Sequence, residues 1–492
     1  MILDHQRCYA AVQSRDARFD GRFFTGVLTT GIYCRPICPA ITPRPENVRF
    51  FASASGAEAE GFRPCLRCHP EASPGTPDWH GSSALVSRAL RLISAGFLDE
   101  SGVEDLAARL NIGARQLRRL FIQQLGAAPN AVAQTRRVHF AKQLIDETDL
   151  PMSEIAFSAG FSSIRRFNAA FRKAYDRPPT AVRRADQHGQ VVTPGPDLQL
   201  KLSYRPPYNW PALVPFLKAR AIPGVEVVDQ YRYRRTIKIE GTAGVITVRY
   251  VKGQRHLLLY VPPVFSRSLL QIAEQMRTMF DLRADPAVIS DHLGQDRQLA
   301  VLMKNQPGVR IPGTWDGFEL AVRAILGQQV SVRAANTLAG RLVAAYGEAM
   351  PANEDEKLAY LFPTPARLTE APLAEIGVMP LRAETIRALA RAVLDGALAF
   401  ETAGGLEDVL ETLTVLPGIG PWTANYIAMR AFSEPDAFPA GDLGLRRAAA
   451  SMDPSLNTAA RLRRHADTWR PWRAYAAVQL WLSGSPPDPK GE

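Results

Sequence analysis

At 492 residues the chain is long enough for several domains. With 46% hydrophobic and 22% charged residues it can bury ordinary cores, which excludes a disordered chain. Lys and Arg outnumber Asp and Glu by 59 to 48, a net charge of +11 that suits a polyanionic partner, although such an excess also serves solubility alone.

The first segment, Met1-Ile2-Leu3-Asp4-His5-Gln6-Arg7, lacks the basic-then-apolar build of an export signal. No uncharged apolar run is long enough to span a bilayer, so no membrane partner is expected. A cytoplasmic location follows as an expectation, with the five cysteines reduced or metal-bound. Four of them form two pairs, Cys34-Arg35-Pro36-Ile37-Cys38 and Cys65-Leu66-Arg67-Cys68. Each pair can hold one face of a tetrahedral zinc ion, for which thiolates are suitable ligands. The interval between the pairs exceeds that of common zinc ribbons. Two disulfides are the competing account, which the missing export signal disfavours. Cys8 stands outside both pairs and reads as a small core residue.

The text around the pairs, Thr29-Thr30-Gly31-Ile32-Tyr33-Cys34, Arg44-Pro45-Glu46-Asn47-Val48 and Gly61-Phe62-Arg63-Pro64-Cys65, resembles the N-terminal domain of the Ada family over residues 1–75. The resemblance implies a Zn2+ ion on Cys34, Cys38, Cys65 and Cys68. It further implies that Cys34 takes a methyl group from a DNA methylphosphotriester. The chemistry is sound, since the thiolate is the nucleophile and a metal keeps it deprotonated. Arg35, Arg44, Arg49, Arg63 and Arg67 are then expected on the phosphate backbone. Transfer would be stoichiometric, because a thioether does not regenerate itself. A purely structural zinc remains the alternative.

Pro74-Gly75-Thr76-Pro77 reads as a linker, followed by helical pattern over 83–185. A short apolar helix from Val103, a turn, and Ala114-Arg115-Gln116-Leu117-Arg118-Arg119-Leu120-Phe121 form a helix-turn-helix pattern. It recurs from Met152 through Ser162-Ser163-Ile164-Arg165-Arg166-Phe167. With Phe171-Arg172-Lys173-Ala174-Tyr175-Asp176-Arg177-Pro178-Pro179 this resembles the DNA-binding domain of the AraC family. That resemblance implies two recognition helices in successive major grooves and RNA polymerase as a partner. Arg115, Gln116, Arg119, Ser162, Ser163, Arg165 and Arg166 are the expected contacts, some to bases and some to phosphate. A solvated surface role remains open for each. A four-thiolate zinc site carries two net negative charges, and methylation removes one. At ~8 Å and an effective dielectric of ~40–80 this relieves about 0.5–1 kcal/mol per nearby phosphate. The Ada resemblance implies this coupling, and with the electrostatics behind it methylation is expected to tighten promoter binding several-fold.

A second linker is expected over 186–197. Alternating segments then follow at Leu198-Gln199-Leu200-Lys201-Leu202, Arg235-Thr236-Ile237-Lys238-Ile239, Val245-Ile246-Thr247-Val248-Arg249-Tyr250 and Leu257-Leu258-Leu259-Tyr260-Val261. Their period of two predicts half-buried antiparallel strands. From about Ser268 onward the pattern is helical. Within it, Leu416-Pro417-Gly418-Ile419-Gly420-Pro421-Trp422-Thr423-Ala424 reads as a tight hairpin between helices, with bare amides that suit a DNA phosphate. Asp442 follows a short helix and a loop later.

This stretch resembles the helix-hairpin-helix DNA glycosylases, specifically the alkylpurine (3-methyladenine) branch typified by AlkA. The resemblance implies that Gly418 and Gly420 grip the DNA backbone and that Asp442 is catalytic. The competing reading makes Asp442 a helix N-cap. Trp422, Tyr426 and Trp481 match aromatic positions of the family's base pocket, where stacked rings attract a cationic alkylpurine; core packing is the alternative for each. Tyr208-Asn209-Trp210 lies where the family has an apolar contact to the site, with structural duty equally open. Trp315-Asp316-Gly317 through Gly327-Gln328-Gln329-Val330-Ser331 matches a further family segment. Gln329 falls where AlkA carries a wedging leucine, a departure that bears on lesion preference. Trp422 replaces the Schiff-base lysine of lyase-competent relatives, and no cysteine follows Cys68, which excludes their iron–sulfur cluster.

The expected fold is multidomain and mainly α. It comprises a small α+β zinc domain (1–75), an all-α double helix-turn-helix (83–185), an α+β subdomain (198–310) and an all-α helix-hairpin-helix domain (311–486). The combined resemblance implies a sensor and repair protein for alkylated double-stranded DNA, acting on promoters and on damaged bases as a monofunctional glycosylase. The rival is a zinc-dependent regulator whose last module is an inactive DNA-binding scaffold.

Overall fold

The computed structural model of the chain describes residues 4–74, 84–186, 197–351, 355–400 and 404–484. Apart from Pro74, Asp186 and Asp197, both expected linkers lie outside the described residues. The chain divides into two compact units. One holds Met1–Pro206, Val248–Arg277 and Leu282–Asp285; the other holds Pro207–Thr247, Thr278–Asp281 and Pro286–Glu492.

The first unit opens with helix His5–Gln13, capped by Asp4, whose carboxylate accepts the Arg7 amide at 2.7 Å. Its inner face buries Cys8, Ala11 and Val12 against Phe23. Burial pushes the Cys8 thiol up to about 11, as befits an inert core residue. A four-stranded sheet follows in the order Val48–Phe51, Phe24–Val27, Ile32–Cys34, Arg63–Pro64. The last two strands run parallel, with Tyr33 opposite Pro64. That pairing brings the ends of two distant segments together, each ending at a cysteine pair.

Two helix-turn-helix units flank the 19-residue helix Pro129–Glu147. In each, the second helix buries one residue per turn: Leu117, Phe121 and Leu125 in Ala114–Leu125, and Phe167, Phe171 and Tyr175 in Ile164–Tyr175. The four-residue period leaves the opposite face to solvent. The zinc-domain sheet docks on the central helix through buried polar groups. Tyr33 Oη donates to Glu58 at 2.8 Å and lies 2.9 Å from His139 Nε2, while Thr135 donates to Glu58 at 2.6 Å. Strands Leu198–Ser203 and His256–Val261 complete this unit as an antiparallel pair, burying Leu200, Leu202, Leu257, Leu259 and Val261 on one face, as their alternation predicts.

The second unit begins with helix Trp210–Arg220 and the hairpin of Glu226–Val228 with Arg232–Ile239. Helix Gly317–Leu326, capped by Asp316, is buried on almost every face. It carries Glu319, which pairs with Arg235 at 2.8 Å and with Arg323 at 3.5 Å. Around it pack helices Pro380–Leu394 and Pro421–Ala431, the latter also against Leu406–Thr414. Helix Leu443–Met452 lies against the terminal Arg473–Gly484. The mainly helical, multidomain fold is the one expected, and among the described residues no helix is long and apolar enough to cross a membrane.

Candidate functional site

The four paired cysteines converge. Their sulfurs all lie within 4.8 Å of one another. A tetrahedral ion with bonds of about 2.3 Å needs sulfurs about 3.8 Å apart, so the donor set fits zinc. Cys65 and Cys68 are buried, whereas Cys34 and Cys38 are half-buried. The Arg35 amide donates to Cys68 Sγ and the Arg67 amide to Cys65 Sγ, both at 3.4 Å. Among the described residues no backbone amide donates to Cys34. A second donor group, His69, Glu71 and Asp146, surrounds Lys142, whose ammonium binds Asp146 and lies 3.7 Å from Glu71. The Asp146 and Glu71 carboxylates hold the His69 imidazole up at about 9, so this group is a buried ion cluster.

The basic residues expected on DNA divide sharply. Arg44 and Arg67 are exposed. Arg35 points inward instead: its guanidinium binds Asp20 and donates to the Cys68 and His69 carbonyls at 3.2 and 3.3 Å, bracing the cysteine loop. Arg63 pairs with Asp176 at 2.9 Å and Arg49 with Glu60 at 3.2 Å. On the recognition helices Arg115, Gln116, Arg119, Ser162, Arg165 and Arg166 are exposed on one side of their elements. Ser163 caps its helix by accepting the Arg166 amide at 3.3 Å, and Arg166 also donates to Ser162 at 3.2 Å.

In the second unit a cavity of about 330 Å³ opens between six helices, with Trp422, Tyr426, Trp481 and Asp442 on its wall. Its size lies at the small end of the ~300–1,000 Å³ range of ligand sites, suited to a single base. Trp422 stacks on Tyr426 with centroids 5.6 Å apart and planes 15° apart, and Trp481 meets Tyr426 edge-on at 6.2 Å. Asp442 stands where the helix-cap reading places it and also faces the cavity. It caps helix Leu443–Met452, its Oδ1 accepting the Leu445 amide at 3.0 Å. The same carboxylate accepts the indole N–H of Trp422 on Oδ2 and of Trp481 on Oδ1, each at 3.0 Å. The walls of the cavity thus aim the acid.

Sequence reasoning missed Arg220, Arg323 and Arg430, which also line this cavity. A signal existed for Arg430: with Trp422 and Tyr426 it falls every fourth residue along one helix. Arg430 is 4% exposed and donates to the Pro312 and Gly313 carbonyls and, at 2.6 Å, to Tyr426 Oη. Burial alone would push the Tyr426 phenol up, but the guanidinium groups of Arg430, Arg220 and Arg323 outweigh it and bring the phenol down to about 8. The Tyr208–Trp210 segment is core: Trp210 is 1% exposed, stacks on Phe280 and donates to the Gln230 carbonyl at 2.9 Å. It is Phe216, further along the same helix, that stacks on Trp481 at 6.5 Å.

The hairpin turn joins Leu406–Thr414 to Pro421–Ala431. Gly418 has φ 83°, while Gly420 is extended and caps the second helix without a side chain, leaving its first amides open to an anion. Gln328 ties the loop after Gly317–Leu326 to this turn, donating to the Gly418 carbonyl at 2.9 Å and to Thr423 at 3.1 Å. Next to it, Gln329 is exposed with φ 54°, a strained backbone state for a residue other than glycine. A Cβ on Gly418 would sit 1.9 Å from Thr385 Oγ1, whereas none would be met at Gly420. Gly418→Ala is therefore expected to cost about 1–3 kcal/mol in denaturant unfolding. Gly420→Ala should leave stability nearly unchanged and weaken DNA binding alone.

A model of the metal-binding domain of Ada matches residues 7–71, and a helix-turn-helix domain model matches 106–185. The AlkA N-terminal domain matches 199–316, and the HhH-GPD superfamily of base excision DNA repair proteins matches 322–474. Over 482 residues the chain is 43% identical to the probable bifunctional transcriptional activator/DNA repair enzyme AlkA of Mycobacterium tuberculosis, covering 98% of this chain and 96% of that relative. It is 36% identical over 292 residues to DNA-3-methyladenine glycosylase 2 of Escherichia coli, spanning 58% of this chain and 98% of that one. The solved 3-methyladenine DNA glycosylase of Archaeoglobus fulgidus shares the fold with a TM-score of 0.50 at 24% identity, covering 58% of this chain and 98% of its own.

Proposed function

The chain belongs to the family of bifunctional transcriptional activator/DNA repair enzymes, and on that premise we propose that it joins an alkylation sensor to a base-excising glycosylase. Residues 1–75 accept methyl groups from DNA methylphosphotriesters, 83–185 read promoter DNA, and 198–310 with 311–486 release N-alkylated purines of the 3-methyladenine type. The observation that carries the reading is the Asp442 carboxylate, held by the two indoles that wall a base-sized cavity. A rival in which the last module is an inert scaffold gives that arrangement no purpose.

The extruded nucleotide places its base against Trp422, Tyr426 and Trp481, whose ring faces attract a cationic purine. Such a base leaves without a strong acid. Asp442 faces the deoxyribose, stabilises the developing oxocarbenium charge and orients or deprotonates water. Gln329 fills the gap in the duplex, and the turn at Gly418 and Gly420, with the amides of Trp422 and Thr423 that open helix Pro421–Ala431, holds a backbone phosphate. With Trp422 in place of a Schiff-base lysine the enzyme is monofunctional, releasing base without cutting the strand.

At the sulfur centre, bound zinc supplies the charge that keeps all four thiols ionised at neutral pH. The Cys34 sulfur attacks the methyl carbon, an S–C bond forms, the C–O bond breaks, and an ordinary phosphodiester leaves. Cys34 suits this role because it is reachable and lacks the amide donors that temper Cys65 and Cys68. The product thioether is permanent, so each protein turns over once. Arg44 and Arg67 face the phosphates; Arg115, Gln116, Arg119, Ser162, Arg165 and Arg166 contact promoter DNA, beside RNA polymerase in the cytoplasm.

One experiment tests both activities. Pure protein incubated with methylated duplex DNA should free 3-methyladenine, seen by chromatography, and carry one added methyl on Cys34 by peptide mass spectrometry. Intact bases throughout would sink the glycosylase assignment, and a methyl on no cysteine would sink the sensor.

A further inference from the structure

Both recognition helices are 12 residues long, and the arginines expected on DNA stand in their first two turns. Their far ends decide where those arginines point. A helix of this length spans about 18 Å, so a tilt of about 10° at its C-terminus moves the reading end by about 3 Å, nearly the rise of one base pair. Each helix stops at a residue in the left-handed region, Gly126 at φ 74° and Asp176 at φ 56°. Each stop is met by the zinc domain.

At the first stop Ser53 Oγ donates to the Leu125 carbonyl at 2.7 Å while it accepts the Gly56 amide at 2.9 Å. The two backbones nearly touch there, since a Cβ on Gly56 would lie 2.6 Å from that same carbonyl. At the second stop Arg63 pairs with Asp176 at 2.9 Å, and the buried Tyr175 donates to the Glu71 carboxylate at 3.5 Å. Glu71 in turn lies 3.7 Å from the Lys142 ammonium of helix Pro129–Glu147, and Glu58 accepts from Thr135 of the same helix. One short stretch of chain thus reaches both recognition helices and the helix between them. Resting on the promoter-reading assignment above, we propose that the zinc-domain stretch from Ser53 to Glu71 clamps the C-terminal ends of both recognition helices and so sets the half-site spacing at which this chain accepts DNA.

Ser53, Arg63 and Tyr175 are positioning residues, acting through the helices they hold. Helix Pro129–Glu147 also joins the two units, but a single axle leaves each unit free to swing about it. A second attachment away from that axis removes the swing. The two jaws differ in grip. The Ser53 contact is buried and answers a helix-end carbonyl, whereas Arg63 and Asp176 are 46% and 77% exposed and hold weakly alone. The Tyr175 hydroxyl supplies the buried part of the second jaw. Two helices in successive major grooves need half-sites about 34–36 Å apart. One inserted base pair carries the second half-site about 3.4 Å along the duplex and about 35° around it, more than a clamped pair can follow.

Sites should be selected by the full zinc-loaded chain from a pool of random-sequence duplexes, and one base pair then inserted between the half-sites of the selected duplex. Wild type is expected to lose about 10-fold or more in affinity on insertion. Ser53→Ala/Arg63→Ala/Tyr175→Phe is expected to bind the parent site more weakly and yet to lose about 3-fold or less on insertion. Arg63→Ala/Tyr175→Phe, which spares the Ser53 cap of helix Ala54–Ala59, should shift the same way, and Arg63→Lys should keep the wild-type dependence. Methyl uptake on Cys34 should be unchanged in every variant, so that a melted zinc domain does not imitate the result. Variants that weaken both spacings equally, or that discriminate between them as wild type does, would overturn the clamp and leave spacing to helix Pro129–Glu147. A wild type that selects no sequence would instead overturn the promoter-reading assignment on which the clamp stands.

Discussion

Asp442→Asn is expected to slow release of 3-methyladenine by about 10²–10⁴-fold while DNA affinity holds, read by single-turnover assay and a binding titration. The substitution separates the two duties of this residue. Asparagine caps helices as well as aspartate, so the amide of Leu445 keeps its acceptor. What disappears is the negative charge facing the sugar. One local conflict is introduced: the oxygen that keeps the Leu445 amide also keeps the Trp481 indole, so the new side-chain NH2 must face the indole N–H of Trp422. That should cost about 1 kcal/mol of stability, the typical worth of one hydrogen bond. Asp442→Ala would add loss of the cap, ~1 kcal/mol more. An Asn variant that released base at the wild-type rate would remove Asp442 from the chemistry and leave only the cap.

What could be read in advance was whatever local pattern dictates. Strands at Leu198 and Leu257 announced themselves by alternation, the recognition helices by their four-residue apolar spacing, and the hairpin by Gly418 between two helices. Asp442 was legible only as a pair of alternatives, and the fold makes it the helix cap while setting the same carboxylate on the cavity wall. The arginines defeated sequence reasoning in both directions. Arg35 and Arg63 looked free for DNA, yet their partners Asp20 and Asp176 stand 15 and 113 residues away, beyond any local pattern. Arg220, Arg323 and Arg430 looked like ordinary helical cations and were brought to one cavity by three separate helices. Long-range pairing decides whether a charge faces water or a site, and no period encodes it.

Cys34→Ser is expected to abolish methyl uptake completely, with no methylated peptide after incubation with methylphosphotriester DNA, while base release from the other unit persists. Cys65→Ser and Cys68→Ser should do something different. These sulfurs are buried, and structural zinc contributes roughly 10–16 kcal/mol to small thiolate domains, so losing either ligand, or chelating the metal, should melt residues 7–71. Wild-type protein, once methylated, should bind promoter DNA several-fold more tightly, the product of about 0.5–1 kcal/mol for each of a few phosphates. Two routes can carry that gain. One is the lost charge itself; the other runs through Tyr33, next to Cys34, whose hydroxyl meets Glu58 and His139 on the helix between the recognition units. Tyr33→Phe tells them apart, because it keeps the ring in its buried place and deletes only the hydroxyl. The electrostatic route requires that methylated Tyr33→Phe protein still gain its several-fold affinity and that high salt erase the gain. Loss of the gain in Tyr33→Phe at low salt would transfer the coupling to the buried hydrogen bonds.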